Sequence, residues 1–177
     1  ATMTRAEIRT RILEGLNESA TSPIFFSLAQ IDAVIEEGME GLAEEVSAIR
    51  RTAFLPLRPG TIYYHTRGIA PDLMAPYRII VPSFDRRLRV SSTRELDQVH
   101  ERWATVTAPF PEVWFPVSWD LFGVWPGTVA GGGVMEVDYL AWPRRLLDDE
   151  DEPEYPEPDQ DGLVLYGVYE GLLKQWD

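Results

Sequence analysis

Apolar side chains recur every three or four residues through Leu28, Ile31, Ile35, Met39, Leu42, Val46 and Ile49. That spacing places them on one stripe of an α-helix of about 22 residues. A stripe of that length has to be buried, and segments at the two ends of the chain offer the cover. Near the N-terminus, Thr4-Arg5-Ala6-Glu7 has the form of a capping box, and Ile8, Ile12, Leu13 and Leu16 follow at helical spacing. Near the C-terminus, Asp161 suits a helix N-cap, and Leu163, Tyr166, Val168, Tyr169, Leu172 and Leu173 carry a helix to Trp176. Helices over 5–17, 28–50 and 161–176 are therefore predicted to form one bundle, with Leu42 and Leu165 in its core. Ser27-Leu28-Ala29-Gln30 caps the long helix. Gly38 and Gly41 each lower its propensity by about 1 kcal/mol against Ala. Either they admit a close neighbour or they are merely tolerated.

Between the ends the texture changes. Pro56, Pro59 and Gly60 break helical periodicity. Thr61-Ile62-Tyr63-Tyr64, Tyr77-Arg78-Ile79-Ile80-Val81 and Arg87-Leu88-Arg89-Val90 read as strands by their aromatic and β-branched content. Ser92 starts a short helix that ends near Trp103. Trp114 to Trp125 is rich in strand-forming aromatics, and Gly131-Gly132-Gly133 makes a turn. Val134 to Leu140 alternates strictly, which predicts one buried face and one wet face. Helices at both ends can pack together only if the β part is an excursion from one bundle. The fold class is thus α+β, a small helical bundle with an inserted antiparallel β meander. As one domain it divides into a helical core over 1–53 and 161–177, a β-rich insertion over 54–147 and an acidic loop over 148–160.

Composition narrows the chemistry. The chain has no cysteine, which excludes disulfide scaffolds, thiol catalysis and cysteine-ligated metals. Sixteen basic residues against 29 acidic leave a net charge of −13, a poor basis for holding nucleic-acid phosphate. The acid is concentrated: from Asp148 to Asp161 nine of fourteen residues are Asp or Glu. The body outside that stretch is only mildly acidic. Asp148, Asp149, Glu150, Asp151 and Glu152 lack the alternating ligands and fixed Gly of an EF-hand. They read as a solvated loop, with a basic partner surface or a bound cation as the alternatives. All basic residues but Lys174 are Arg, a bias that fits ion-paired interfaces or simply genome composition. His65 and His100 have no ligand spacing, no serine sits in a Gly-x-Ser-x-Gly context, and the triple glycine lacks the Lys and helix of a phosphate loop. No catalytic, metal-binding or cofactor-binding residue is predicted, and no cofactor. No apolar run reaches the ~18 residues of a membrane span. Ala1-Thr2-Met3 looks like a start trimmed of its initiator Met, and no leader for secretion is expected.

Six Trp, seven Tyr and seven Phe are many for this length. They are expected to fill the β core and subunit interfaces, where aromatics and Arg are enriched. Two other uses remain open: a non-catalytic carbohydrate- or ligand-binding module, and a small hydrolase with carboxylates as acid and base. In Val117-Ser118-Trp119-Asp120, Trp119 is placed at a hairpin tip. Trp119 and Trp176 are the candidate interface residues.

An ordered series of pieces goes further. Ala70-Pro71-Asp72-Leu73 leads to Arg78-Ile79-Ile80-Val81, Arg87-Leu88-Arg89-Val90, Ser92 to Leu96, and Trp103. Pro111-Glu112-Val113-Trp114-Phe115 and Leu121-Phe122-Gly123-Val124-Trp125-Pro126 follow. Val134 to Tyr139 then runs into Trp142-Pro143-Arg144-Arg145-Leu146, and Asp161-Gly162-Leu163-Val164-Leu165-Tyr166-Gly167-Val168-Tyr169 closes the series. In order and spacing, over roughly 54–177, this resembles the head–tail adaptor (connector) proteins of tailed bacteriophages and of gene transfer agents. The resemblance implies a structural virion protein at the head–tail junction, assembled in the host cytoplasm, with no enzyme activity. It implies a homo-oligomeric ring, usually of twelve copies, that contacts the portal protein and the tail or stopper proteins. DNA would pass through that ring without specific binding. Family members often carry a C-terminal arm that engages the portal, and a chain stopping at Asp177 is expected to have that arm short or absent. A DNA channel favours an acidic lining. Glu36, Glu37, Glu40, Glu44 and Glu45 on the outer face of the long helix are the channel-lining candidates; the alternative is a solvated helix face.

Overall fold

A computed structural model describes residues 2–99, 101–130 and 133–176, with the side chain of Trp176 excepted. The helices are α1 (Arg5–Gly15), α2 (Leu28–Val46), α3 (Thr93–Val99) and α4 (Glu157–Trp176). The strands are β1 (Arg50–Pro56), β2 (Tyr63–His65), β3 (Leu73–Val81), β4 (Arg86–Arg87), β5 (Arg89–Val90), β6 (Thr107–Ala108), β7 (Val113–Ser118), β8 (Leu121–Trp125), β9 (Gly127–Thr128) and β10 (Val134–Ala141). The fold is α+β, and the chain divides into two compact units. One joins residues 1–49 to 142–177, and the other is the inserted 50–141.

In the first unit α1, α2 and α4 pack on one another. Both sequence-read capping boxes form: Glu7 and Thr4 exchange bonds at the start of α1, and Gln30 and Ser27 do so at the start of α2. Each satisfies two backbone donors that a helix start leaves unpaired. Ile8, Ile12 and Leu13 are fully buried, as are Ile31, Ile35 and Met39. Four glycines let the helices approach closely. A Cβ on Gly167 would fall 2.4 Å from Ile12 Cδ1, and one on Gly171 would fall 2.6 Å from Leu16 Cδ1. A Cβ on Gly15 would meet Val168, and one on Gly38 would meet Tyr166. Gly41 has nothing within 4 Å of that position. Of the two readings left open for the glycines of α2, close approach holds at Gly38 and tolerance at Gly41.

Several boundaries differ from the sequence reading, and the inserted unit ends at residue 141 rather than 147. The long helix ends at Val46 rather than near residue 50, because Ser47 takes a left-handed conformation (φ 49°) and donates its N–H to the Ala43 carbonyl. Ile49, which matched the helical period, begins an alternation instead. It is buried, and Arg51, Ala53 and Leu55 follow on one side of β1 as the half-buried residues. The β region therefore starts at Arg50, not at residue 54. The last helix begins at Glu157 rather than Asp161, with Pro158 inside its first turn, where a missing N–H costs nothing. The segment before it is not all surface loop. The Tyr155 hydroxyl is buried and donates to the Met39 carbonyl at 2.6 Å. Burial, with the nearby charges of Glu154 and Asp159, pushes its pKa up to about 12. Gln160 is fully buried too, accepting from the Met3 N–H at 2.7 Å and donating to the Tyr155 carbonyl at 2.8 Å.

The second unit holds two four-stranded sheets, in the orders β1-β10-β3-β4 and β2-β8-β7-β5, and a short β6-β9 pair. Pairing is antiparallel except for β5 with β7 and β6 with β9. Ile79, Val81, Met135 and Val137 of the first sheet pack against Tyr64, Trp114, Phe122 and Val124 of the second. A smaller cluster of Ile62, Leu96, Trp103, Val113 and Phe115 seats α3 on the second sheet. Phe115 lies opposite Gly123 in the β7–β8 register, and a Cβ there would fall 2.1 Å from its ring. On β10, alternation did not leave a wet face throughout. Asp138 is 3% exposed and accepts from Thr52 on one neighbouring strand and from Arg78 on the other. Those three residues are aligned in register across β1, β10 and β3.

Candidate interaction surfaces

The α4 helix is apolar on two sides. Leu163, Gly167 and Gly171 are buried, while Leu165, Tyr169, Leu172 and Leu173 form a second stripe exposed to solvent. Leu165, expected in the core, is 71% exposed. The reason is the glycines: a face without side chains comes closest to α1, and the larger residues turn outward. In the loop between α1 and α2, Ile24 is 95% exposed and Phe25 is also exposed, while Phe26 is buried. The Glu18 carboxylate holds this tip by accepting the Ile24 N–H at 2.7 Å.

The acidic candidates on α2 lie as proposed on an outer face: Glu37, Glu40, Glu44 and Glu45 are exposed and Glu36 is half-buried. Glu44 and Glu45 border a groove of about 300 Å³ floored by Gly38, Gly41, Gly162, Leu42 and Tyr166. Burial and the carboxylates of Glu37 and Glu170 raise the pKa of the Tyr166 phenol.

The acidic segment is not the free, solvated loop of the sequence reading. Arg5 and Arg9 grip Asp149 at 2.7 and 2.8 Å, and Arg9 also forks onto Asp32 at 2.8 and 2.9 Å. The two guanidinium groups hold Asp149 below the usual carboxylate range. Asp151 is lowered as well, by accepting the backbone N–H groups of Asp148 and Leu147. Glu152 accepts from the Thr2 hydroxyl at 2.6 Å. Asp148 and Glu150 are exposed and make no ion pair among the described residues.

In the second unit Trp119 is 87% exposed at the β7–β8 turn, where Asp120 accepts from the Ser118 hydroxyl at 2.9 Å. Trp176 closes α4, and its side chain lies outside the described residues, as do His100, Gly131 and Gly132. Trp103, Trp114, Phe115, Phe122 and Tyr64 are buried. They fill the two cores rather than forming a platform for a sugar or a base. No group of three or more His, Cys, Asp or Glu positioned for a metal occurs among the described residues. No described helix is long and apolar enough to cross a membrane.

A family model described as SU10 adaptor protein matches residues 3–177. The chain belongs to the SU10 adaptor protein family. No curated protein matches it. An adaptor of this family is a structural component of a phage particle, which agrees with the resemblance to head–tail adaptors. The surfaces through which an adaptor meets other subunits are then the sites that matter. Sequence reasoning named Trp119 and the glutamates of α2 as candidates, and the structure leaves them exposed apart from the half-buried Glu36. It missed the outward stripe of α4, because a helical period does not say which of two apolar faces is covered. It also missed a run of exposed arginines, Arg86, Arg87 and Arg89, that make no ion pair among the described residues. Their alternation read only as a strand, although three cations in four residues was a visible signal.

Proposed function

We propose that this adaptor works as a closed ring, of about twelve copies as its resemblance implies, that joins the portal of the DNA-filled head to the tail. Genomic DNA passes through the ring without specific binding, and the protein's role is geometric rather than catalytic. The observation that carries this reading is the outward stripe of α4. A helix that is apolar on both sides is normally covered on both sides. Leu165, Tyr169, Leu172 and Leu173 keep 42 to 71% of their surface exposed within the described chain. Neighbouring copies supply that cover, and Trp119 serves as an anchor toward a neighbour or a tail protein. The glutamates of α2 flank the channel and keep phosphate moving. Assembly takes place in the host cytoplasm before the head and tail are joined.

The test is a mass measurement on the purified protein, alone and with portal, for the parent and for Leu165→Asp with Tyr169→Asp. Both residues are exposed, so the variant is expected to melt like the parent yet fail to form rings. Rings at the parent's yield would remove this face from assembly. A parent that stays monomeric in both settings would refute the ring.

A further inference from the structure

Several arginines are spent on ion pairs inside the fold. Arg5 and Arg9 hold Asp149, Arg51 holds Asp72, and Arg78 holds Asp138. Arg86, Arg87 and Arg89 are different. They fall within four residues on β4 and β5, all three are exposed, and none has an ion pair among the described residues. The Arg86 guanidinium lies 3.9 Å over the Phe110 ring, which fixes its plane and leaves its hydrogen-bond donors free. With Pro111 and Glu112 the three arginines line a groove of about 340 Å³. Clustered like charges repel, so a groove of this kind fits a partner that brings carboxylates or phosphates.

We propose that this arginine groove docks the acidic segment around Asp148 and Glu150 of a neighbouring copy, as an electrostatic latch between subunits. The proposal rests on the ring reading above. Charge complementarity is its first support. The chain carries −13, and the acids of the segment divide into two sets. Asp149, Asp151 and Glu152 are tied to their own unit, while Asp148 and Glu150 are left facing out. The inward bonds hold the backbone in place, so docking costs little ordering entropy. Arg144 and Arg145 precede the segment and still leave it strongly negative.

The second support is symmetry. A two-fold axis running through the groove itself would set arginines against arginines. The groove therefore needs a different surface on its neighbour, a requirement that the head-to-tail contacts of a closed ring meet. Phosphate is the weaker occupant. Three arginines would release few counterions, giving a salt slope of only about −3 on duplex DNA. Glu112 and the net charge of the chain also oppose a polyanion.

The test reverses each side and then both. Arg87→Glu with Arg89→Glu, and separately Asp148→Arg with Glu150→Arg, are expected to melt like the parent. Each should lower the ring population by about tenfold or more at ~50 mM salt. All four changes in one chain should restore the rings. Arg87→Ala with Arg89→Ala, which removes charge without reversing it, should give a smaller loss. Rings at parental level in the arginine-reversed protein would overturn the latch and leave the ring reading intact. Loss in both reversed proteins without restoration in the combined one would overturn this pairing. Intact rings with lost retention on DNA-cellulose would assign the groove to phosphate and overturn the latch too. A parent that forms no ring alone or with portal would overturn the ring reading and the latch with it.

Discussion

Gly41 and Gly167 belong to helices of one bundle and meet opposite surroundings. Nothing lies within 4 Å of a Cβ at Gly41, so Gly41→Ala adds helix propensity without a clash. It is expected to raise stability by up to about 1 kcal/mol. At Gly167 the same change drives a methyl to 2.4 Å from Cδ1 and 2.8 Å from Cγ1 of Ile12, which is itself fully buried. Gly167→Ala is expected to cost about 1–2 kcal/mol net of its propensity gain. Denaturant unfolding of the two variants checks the contrast, and opposite signs are the expected result. Two similar mid-helix glycines thus differ for a reason that lies entirely in the neighbouring helix.

At the scale of elements, the clamp between α1 and the acidic segment makes the first unit sensitive to acid. Arg9 and Arg5 lower the Asp149 pKa in the folded chain. A carboxylate lowered on folding contributes stability above its unfolded value, and that contribution is lost as pH falls through the folded value. Melting temperatures should therefore drop as pH goes below about 4. Asp149→Asn should flatten that drop while lowering stability near neutrality. A parent and variant with parallel acid profiles would remove the clamp from the stability of the unit. The clamp also shows where the sequence was legible. Capping boxes are local, so Thr4 with Glu7 and Ser27 with Gln30 could be read directly. The ends of α2 and α4 could not. Ile49 satisfies a helical period from one side and a strand alternation from the other, and only the pairing of β1 with β10 decides between them. Charge content marked residues 148–160 as exposed, but Tyr155 and Gln160 are buried by bonds to Met39 and Met3, more than a hundred residues away in sequence.

For the molecule as a whole, the balance of charge bears on the proposed channel. Glu40→Lys with Glu44→Lys changes two exposed residues on α2, so the fold should survive. In particles with intact rings, DNA ejection is expected to slow, most clearly at low salt where screening is weak. Ejection at the parental rate would reduce these glutamates to a solvated face; Trp119 and the α4 stripe would be untouched by that result. The layout of the units carries a further consequence, for synthesis. The bundle draws α1 and α2 from one end of the chain and α4 from the other, and the Met3 N–H is satisfied by Gln160. On a ribosome the first two helices emerge long before the third. At ~5–20 residues per second they wait on the order of ten seconds for their partner. The inserted β unit has left the tunnel by then and is free to fold first. The nascent chain must therefore keep the stripe of α2 from wrong partners while the insertion forms.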